Sequence, residues 1–548
     1  MAGSCREIVT LQLGHYSNFI GTHWWNIQDS SFAYNPNAVA TNEINHDVLF
    51  REGCNPSGEV TYTPRLLLFD LKGSLNTLKQ NGQLYDVPDA AEDLQWGSDV
   101  TMHKAETLPK NDYLQDLEKL DSYEVDERDE GGDKEDQVKE PSSNQPPMFG
   151  KRLHHLDDQV RVWSDFLRLH LHPKTVHVVQ QYWHDSDSEI FDVHNLGESV
   201  VNDHHTHNEI EDRLHFFLEE CDNLQGLHIL CDPGNGFGGM AAKLAEELSD
   251  EFASKSIVVI PAHEPEYTKK PQSESAVSLV SNMLSYSSLL EHASAVIPLS
   301  VSPCLFTPSF SNPFPHLSPK FNLAYHSSAV LACAVESLSL PYRRLGPDSC
   351  LMPHLTEALT PAGRKLLNLQ MALPFPGQPD VLFDETLSGL GDRLPWRSLT
   401  PYCHRNQEVD GGQSVVFQGV ELHSGTQSCE KSLLEYLQKI NSSPSAVTTL
   451  KKACNVTEPF PHFFNTEVSS KGLLSAVHRD SNTGVESVPL LTSLQSSSGV
   501  SAILDQMLQR TKKVELRKLH RCEKAGLDED AFKECVVRLQ SLHEEYSL

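Results

Sequence analysis

The sequence contains no uninterrupted apolar stretch of the ~18 residues that a membrane-spanning helix requires. Its apolar runs, such as residues 257–262, have the length of single strands. The first seven residues also lack the basic-then-apolar order of a secretory signal and the Arg-rich, acid-poor composition of a mitochondrial transit peptide. We therefore expect no import signal, and we expect any contact with a membrane to be peripheral.

Basic residues are too few to balance the acidic ones. The chain has 44 Lys and Arg residues against 75 Asp and Glu residues, which gives a net charge of −31. Such a charge repels the phosphates of nucleic acids, so the composition argues against nucleic acid as a partner. Between Asp121 and Glu140, ten acidic and three basic residues form a segment that we predict to be solvated rather than folded.

Closely spaced cysteines are absent as well. No two of the twelve cysteines are arranged as CxxC, so the sequence indicates neither a zinc knuckle nor a dense disulfide framework, and a reducing compartment fits. One cluster, Asp203-His-His-Thr-His207, contains metal-binding residue types, with His205 and His207 as conceivable ligands. Its polar surroundings and the lack of a second cluster favour a solvated loop, and we assign no metal.

The sequence does contain an alternation of short apolar runs and amphipathic segments. The runs are residues 8–13, 66–69, 227–231, 257–261 and 295–299. This pattern is typical of buried parallel strands joined by helices, so we predict an α/β fold. Several runs end at loop residues, namely Gly14, Asp70 and residues 232–234, and ligands bind at that edge of open α/β sheets.

Several segments resemble tubulin. Residues 6–21, REIVTLQLGHYSNFIG, resemble its first strand and nucleotide loop, whose pattern is REIVxxQxGQCGNQIG. Residues 220–226, ECDNLQG, and 234–240, GNGFGGM, resemble its CDxLQGF segment and its GGGTGSGM phosphate loop in order and spacing. Residues 281–300 resemble the segment with LEH before a strand, and residues 520–546 resemble the carboxyl-terminal helix pair. The resemblance covers most of the chain.

The chain is still more similar to the Misato family, whose members are divergent relatives of tubulin. It contains a block like that of the family, RVWSDFLRLHLHP, at residues 161–173, together with Trp24-Trp25 and YTPR at residues 62–65. The resemblance implies a tubulin/FtsZ-like α/β fold, with a Rossmann-like nucleotide-binding-type domain, a second α/β domain and carboxyl-terminal helices. We accordingly divide the chain into a tubulin-like amino-terminal segment at 1–115, an acidic disordered insertion at 116–150, the second part of the nucleotide-binding-type domain at 151–320, a core helix at 321–340, an intermediate α/β domain at 341–490 and a carboxyl-terminal helical hairpin at 500–548.

The same resemblance implies a role in the distribution, morphology and fusion of mitochondria. We expect such a protein to be cytoplasmic and peripheral on the mitochondrial outer membrane. Its expected partners are proteins of that membrane or of the fusion machinery, with tubulin or the tubulin folding machinery as further candidates. Two alternatives stay open: an active GTPase that assembles head to tail, and an assembly factor for tubulin.

GTP is the ligand that the tubulin-like loops imply. Small residues in such loops let backbone N–H groups close around a phosphate. The corresponding positions are Gly14, His15, Asn18, Asp70, Gly234, Asn235, Gly236 and Gly239. Side chains beside them depart from the tubulin pattern, because Tyr16 replaces a cysteine, Lys72 replaces a glutamate and Phe237 adds bulk. We therefore predict a degenerate nucleotide site in a protein that is not a working GTPase.

Three residues and one motif bear further on this site. In tubulin two asparagines bind the guanine base, and Val301 and His326 align with them here. Glu357 resembles the acidic residue that polymerising relatives donate across a subunit contact, so it is the catalytic candidate. Residues 234–239 also fit GxGxxG, but a dinucleotide loop follows the first strand of its unit, whereas this loop follows several elements.

Overall fold

A computed structural model describes most of the chain. The described residues are 6–32, 42–54, 60–82, 84, 108–129, 153–186, 189–268, 270–308, 312–346, 349–379, 381–391, 394–403, 409, 411–423, 429–440 and 445–547. Their strands are β1 (Ile8–Leu13), β2 (Phe50–Cys54), β3 (Val60–Pro64), β4 (Leu66–Lys72), β5 (Val176–Trp183), β6 (Gly226–Cys231), β7 (Ser256–Pro261), β8 (Ala295–Val296), β9 (Asn368–Ala372), β10 (Arg397–Ser398), β11 (Gln413–Gln418), β12 (Ser445–Leu450), β13 (Cys454–Asn455), β14 (Ser487–Val488) and β15 (Leu490–Gln495). Their α-helices are α1 (His15–Ser31), α2 (Asp112–Asp129), α3 (His194–Asn202), α4 (His204–Glu219), α5 (Gly236–Glu251), α6 (Gln272–His292), α7 (Ala324–Ser339), α8 (Met352–Leu359), α9 (Phe383–Leu390), α10 (Cys429–Ile440), α11 (Ser501–Thr511), α12 (His520–Lys524) and α13 (Glu529–Ser547).

Six of the strands form a parallel sheet in the order β5-β4-β1-β6-β7-β8. Its central strands are apolar and buried, as expected for a sheet covered by helices on both faces. The five predicted strands are all present, although the regular part of the last one is limited to Ala295 and Val296. Strand β5 is not predicted, because its second half is polar and partly exposed at the edge of the sheet.

The strand order reverses at the centre of this sheet. On one side of β1 lies β4, followed by β5. On its other side lies β6, followed by β7 and β8. Where connections diverge in this way, the loops at the carboxyl ends of the two strands leave a crevice. These loops contain Gly14 and residues 232–235. The topology therefore gathers the predicted nucleotide loops at one edge.

Helices cover both faces of the parallel sheet. On one face, Ile8 of β1 shares an apolar cluster with residues of α1 and α7. On the other face, Val9, Leu11 and Leu13 cluster with α3 to α6 and with α11 and α13. Successive side chains of a strand point to opposite faces, which explains how a single short strand anchors both layers.

A second sheet, in the order β10-β9-β15-β11-β12, belongs to the region that follows α7. Its pairs are antiparallel except for β11 with β12, and α9 and α10 share its apolar core. Helix α7 packs against α1 and also against β11 and β15, and its residues from Tyr325 to Ser339 are all buried. Helix α7 is therefore buried on every side. Helix α7 thus links the two sheets.

The acidic segment differs in part from its prediction. Helix α2 extends through residues 116–129, which we predicted to belong to a disordered insertion. Its first turn is held in place because Tyr113 is fully buried and the side chain of Asn111 accepts a hydrogen bond from the N–H of Leu114 at 2.9 Å. Residues 130–150, which hold the rest of the predicted insertion, lie outside the described residues.

The carboxyl-terminal helices cover one side of the parallel sheet. Helices α11 and α13 pack against α6, with the short helix α12 between them in the chain. The N–H of Leu366 donates a hydrogen bond to the hydroxyl of Tyr546 at 2.6 Å, which ties the last helix to the segment before β9. Among the helices of the described chain, none combines the length and the apolar character that crossing a bilayer requires.

A buried ion pair fastens α1 to α7. Arg343, just beyond α7, donates to Glu336 at 2.7 Å, and the two side chains are 0% and 4% exposed. The indole N–H of Trp24 donates to the same carboxylate at 2.9 Å, and Arg343 also donates to the side chain of Gln28 at 2.9 Å. Removal of one partner from such a pair leaves an uncompensated buried charge. The network therefore fixes the position of α1 relative to α7.

We expect the substitution Arg343→Met to lower the free energy of unfolding by about 3 to 5 kcal/mol, because it leaves the Glu336 carboxylate buried without its cation. The control Arg517→Met breaks an exposed pair with Glu529 and should change this free energy by less than about 1 kcal/mol. Urea unfolding followed by tryptophan fluorescence measures both. Equal effects of the two substitutions would contradict the role assigned to the buried pair.

Candidate functional site

Two adjoining cavities lie at the edge of the parallel sheet where its strand order reverses. Their volumes are about 450 Å³ and 370 Å³, and we call them the larger and the smaller cavity. Both have Tyr16, Asp232, Asn235 and Glu264 in their walls. The predicted loop residues that line one or both are His15, Asp70, Gly234 and Asn235. The structure thus brings the sequence candidates from three separate loops to one place.

The carboxylate of Asp232 occupies the beginning of helix α1. The backbone N–H groups of Tyr16 and Ser17 donate to it at 3.0 Å and 2.9 Å, and the Ser17 hydroxyl donates at 2.6 Å. Gly14, with φ of 118°, allows this approach, since a Cβ there would lie 2.4 Å from Cγ of Asp232. Such N–H groups have no partner within their own helix, and in a phosphate loop they bind the anion. Here a carboxylate of the same chain accepts them.

Burial governs the protonation of Asp232. It raises the pKa of the Asp232 carboxyl to about 7, against the hydrogen bonds from Ser17 and Tyr16, and the nearby charge of Glu264 acts in the same direction as burial. Near neutral pH both protonation states of Asp232 are therefore populated. The contact that holds the start of α1 is sensitive to pH in this range.

Asp70, at the end of β4, is the second carboxylate of the site and is fully buried. The indole N–H of Trp163 donates to it at 2.8 Å, the amide of Asn18 at 3.2 Å and the N–H of Leu71 at 2.8 Å. Although burial acts to raise it, the pKa of Asp70 is lowered by His15 and by the hydrogen bonds from Leu71 and Asn18. Asp70 is therefore an anion with protein donors around it. Trp163 belongs to the block that the Misato family resemblance identified.

His15 lies in the wall of the smaller cavity beside the carboxylate of Asp70. Its Nδ1 lies 3.2 Å from the Asp70 carboxylate, and its ring centroid lies 4.0 Å from that of His184. Although burial acts to lower it, Asp70 raises the pKa of His15, with further contributions from Asp232 and Glu264. The imidazole is thus stabilised as a cation by carboxylates of its own chain.

The glycines of the second loop allow close packing between helices. A Cβ on Gly239 would lie 1.9 Å from the carbonyl oxygen of His194 in α3, and one on Gly236 would lie 2.5 Å from the ring of Phe191. Both positions require glycine because α3 and the segment before it approach α5 closely. The GxGxxG pattern is therefore explained by contacts within the chain, without a nucleotide.

The side chains that depart from the tubulin pattern have partners within the chain. The hydroxyl of Tyr16 donates to Ser327 of α7 at 3.0 Å, and the ammonium group of Lys72 lies 4.3 Å from a ring centroid of Trp183. Asn235 caps α5 with its side-chain oxygen. These contacts engage the three side chains within the chain itself.

The residues aligned with the base-binding asparagines do not line either cavity among the described residues. Val301 is buried among apolar side chains, and Nε2 of His326 lies 2.8 Å from Oδ1 of Asp157. An amide at each position would offer the guanine both a donor and an acceptor. Neither residue is available to do so.

The arrangement does not fit a magnesium-bound triphosphate. The N–H groups at the start of α1 already donate to Asp232, and the oxygens of Asp70 already accept from protein donors. Five acidic and two basic side chains line the larger cavity, namely Asp192, Asp232, Glu264, Glu266 and Glu274 with Lys270 and Arg521. A polyphosphate would therefore meet repulsion where it needs compensating charge.

Glu357, the catalytic candidate, lies at the opposite edge of the parallel sheet. Helix α8 sits at the amino ends of β6 and β7, where the N–H of Met352 donates to Gln225 and the hydroxyls of Thr356 and Ser256 lie 3.1 Å apart. Glu357 is exposed on this helix. The length of the sheet therefore separates Glu357 from the cavities of its own chain.

The cluster from Asp203 to His207 begins a helix, so the prediction of a loop there is wrong. Asp203 accepts a hydrogen bond from the N–H of Thr206 at 3.1 Å and caps α4. Aspartate is a favoured residue at this position, and the polar sequence after it is the exposed first turn. Within the described residues, no three His, Cys, Asp or Glu side chains are placed to hold a metal ion.

Sequence reasoning misses the two contacts that most strongly shape the site. It identifies Asp232 only as a loop residue, and it includes Trp163 only as part of the block at residues 161–173. A signal exists for Asp232, because an acidic residue directly after a buried strand at this edge can reach the amino end of a neighbouring helix. No local pattern joins Trp163 to Asp70, which lies 93 residues away in the chain.

Comparisons with known proteins agree with this architecture. Residues 6–119 match the family model of the Misato Segment II tubulin-like domain, and residues 154–344 match that of the tubulin domain, which confirms the predicted tubulin-like α/β fold. The chain is similar to protein misato homolog 1 of Danio rerio, with 36% identity over 95% of this chain and 93% of the relative. Protein misato homolog 1 of Bos taurus is 35% identical over 100% of this chain and 98% of the relative. Protein misato of Drosophila melanogaster is 30% identical over 99% of this chain and 98% of the relative.

We expect Asp232→Ala to lower the free energy of unfolding by about 2 to 4 kcal/mol, because it removes a helix cap and leaves buried N–H groups of Tyr16 and Ser17 without an acceptor. The control Asp203→Ala removes a solvent-exposed cap from α4 and should cost clearly less, because water can replace the lost acceptor. Urea unfolding of the two variants provides the comparison. A cost at Asp232 no larger than that at Asp203 would show that the buried cap is dispensable.

The same carboxyl predicts a dependence of stability on pH. Its folded-state pKa of about 7 lies above the ordinary value of about 4, so the folded chain holds a proton that the unfolded chain releases. The stabilisation by this proton is complete below about pH 4 and is lost as the pH rises through 7. We therefore expect the stability of Asp232→Asn, relative to the unchanged protein, to rise between about pH 5 and pH 8. Unfolding curves of the two proteins across that range test this prediction. A difference in their free energies of unfolding that does not change with pH would contradict it.

Proposed function

The chain belongs to the Misato family of tubulin-like proteins, and from this membership we propose that it regulates the distribution, morphology and fusion of mitochondria. It acts as a non-polymerising protein with a tubulin fold, which binds partners and does not turn over GTP. It works in the cytoplasm and as a peripheral component of the mitochondrial outer membrane. Family membership supports the mitochondrial part of this proposal, and the geometry of the site supports the rest.

The proposal that the protein does not turn over GTP rests on the position of the Asp232 carboxylate at the start of α1. To bind there, a triphosphate would have to displace Asp232 from the N–H groups of Tyr16 and Ser17. The displaced carboxylate would then lie beside the incoming phosphates and repel them. Asp70 adds a second obstacle, because a magnesium ion would have to replace the donors that already surround its oxygens.

An exposed tryptophan beside the smaller cavity supports partner binding. Trp183 is 50% exposed, whereas Trp24, Trp25 and Trp163 are buried in the core. The ammonium group of Lys72 lies over the Trp183 ring, so apolar and charged surface are presented together. Tryptophan is among the residues that dominate binding energy at interfaces. The partners we propose are outer-membrane or fusion-machinery proteins, with tubulin or its folding machinery as further candidates.

One observation favours a second candidate function, that of a GTPase which assembles head to tail. Glu357 is exposed at the edge opposite the cavities, where it would face the cavities of a second copy stacked on the first. In that arrangement Glu357 would be the acidic residue donated across the contact. The acidic walls of the larger cavity argue against this candidate, because they disfavour the substrate.

We expect isothermal titration of the purified full chain with GTP and magnesium to give no saturable binding, and we expect no phosphate release above that of buffer. The physical reason is the occupied donor set at α1 together with the acidic wall. The variant Glu357→Ala should behave like the unchanged protein in both assays. Tight binding with turnover that Glu357→Ala abolishes would instead establish the GTPase.

The mitochondrial part is tested in cells from which the protein has been depleted. We expect fragmented or redistributed mitochondria, restored equally by the unchanged chain and by Glu357→Ala, since no hydrolysis is required. Carbonate washing of mitochondria from the restored cells should release the protein. An unchanged mitochondrial network after depletion would overturn the proposed role.

A further inference from the structure

One short segment near the carboxyl end is strongly basic, although the whole chain has a net charge of −31. Residues 510–524 contain seven Lys and Arg residues and two Glu residues. No stretch of the same length outside this segment contains more than three Lys and Arg residues. Positive charge is therefore concentrated at a single place in the sequence.

The side chains of this segment divide into a buried and an exposed set. Val514 and Leu516 pack against the apolar cluster beneath the segment, and Leu519 belongs to that cluster. Basic side chains occupy exposed positions between and beside them, namely Lys512, Lys513, Arg517, Lys518 and Lys524. A mostly basic surface therefore faces solvent where α11 is followed by α12.

Ion pairs compensate only part of this charge. They join Arg517 to Glu529, Lys518 to Glu515 and Arg521 to Asp192. The second acid of the segment, Glu523, lies 3.7 Å from the ring of His520. The other cations form no ion pair within the described residues, and they are Arg510, Lys512, Lys513 and Lys524.

Two of these four cations also line a groove between α6 and α11. Arg510 and Lys513 lie in its wall, and its volume is about 430 Å³. The guanidinium group of Arg510 lies 5.3 Å from the ring centroid of Phe306, which is part of the same wall. The one acid among the described lining residues, Glu266, is paired with Lys270 at 3.0 Å. The groove thus combines apolar side chains with positive charge that the chain itself does not compensate.

We infer that residues 510–524 and the adjoining groove bind the surface of a membrane that contains anionic phospholipids. The exposed lysines contact the lipid phosphates, and Arg510 and Lys513 hold a headgroup at the groove, whose apolar side chains contact the glycerol part of the lipid. The inference rests on the proposed peripheral location at the mitochondrial outer membrane, and it identifies what holds the protein there.

A lipid surface suits this segment better than an acidic protein does. The lysine side chains are long, exposed and separate from one another, so they present no fixed pattern for a rigid partner. Lipid headgroups can move within the membrane to meet each cation. Charges act over only about 8 Å at physiological ionic strength, so acidic residues elsewhere on the molecule do not cancel this attraction.

We expect the full chain to sediment with vesicles made of equal parts of phosphatidylserine and phosphatidylcholine, and to stay in solution with vesicles of phosphatidylcholine. The double substitution Lys512→Gln and Lys513→Gln should weaken this binding by about tenfold or more, because it removes two cations near the lipid surface. The matched control, Lys431→Gln with Lys439→Gln, removes the same charge from exposed positions on α10 and should leave the affinity unchanged. Circular dichroism verifies that both variants are folded.

Equal weakening by the two pairs of substitutions would indicate general electrostatic attraction and overturn the inference, as would equal binding to both kinds of vesicle or to neither. A capped hexaglutamate peptide represents an acidic protein partner, and inorganic phosphate represents a free anion. Tighter binding of the peptide than of the vesicles would overturn the choice of a membrane. Release from the vesicles by phosphate, but not by chloride at the same ionic strength, would do so as well.

The same variant separates this inference from the proposed function. In cells depleted of the protein, the chain with Lys512→Gln and Lys513→Gln should be lost from the mitochondrial fraction. If that chain stays with mitochondria, this inference fails while the proposed function stands. An unchanged mitochondrial network after depletion contradicts the proposed function itself.

Discussion

The hydrogen bonds from the first turn of α1 to Asp232 are the constraint on which the rest of the site depends. They join the loops after β1 and β6 across the centre of the sheet, and they fix where α1 begins. Once its start is set, α1 lies along α7, and the indole of Trp24 reaches the buried carboxylate of Glu336. The packing of α1 against α7 therefore depends on the capped start of α1.

The two carboxylates at this edge illustrate how surroundings decide what an acid does. Asp70 has a neighbouring imidazole and several hydrogen-bond donors, and these outweigh the effect of burial on its pKa. Asp232 also accepts three hydrogen bonds, but burial outweighs them, and the nearby charge of Glu264 raises the pKa further. One acid is a fixed anion and the other titrates near neutrality, although Asp70 lies near the end of β4 and Asp232 directly follows β6 in the same sheet.

The fold could be predicted largely because its signals are local. Five of the six strands of the parallel sheet belong to short apolar runs in the sequence, and the motifs after β1 and β6 identify the loops at its edge. The site could be predicted only in part. The glycines indicate a phosphate loop, but Gly236 and Gly239 are explained by close contacts with Phe191 and the backbone of α3. The acceptor of the Ser17 N–H lies 215 residues away in the chain, and no local pattern encodes such a pairing.

The burial of α7 between the two sheets has a consequence for synthesis of the chain. Tyr16 and Trp24 of α1 contact Ser327 and Glu336 of α7, which lie 311 and 312 residues later. At a translation rate of about 5 to 20 residues per second, α1 waits for tens of seconds before its partners leave the ribosome. During that time Tyr16 and Trp24 lack their hydrogen-bond partners on α7, whereas Trp25 can already pack against Phe50. The native surroundings of α1 are therefore complete only after α7 has been made.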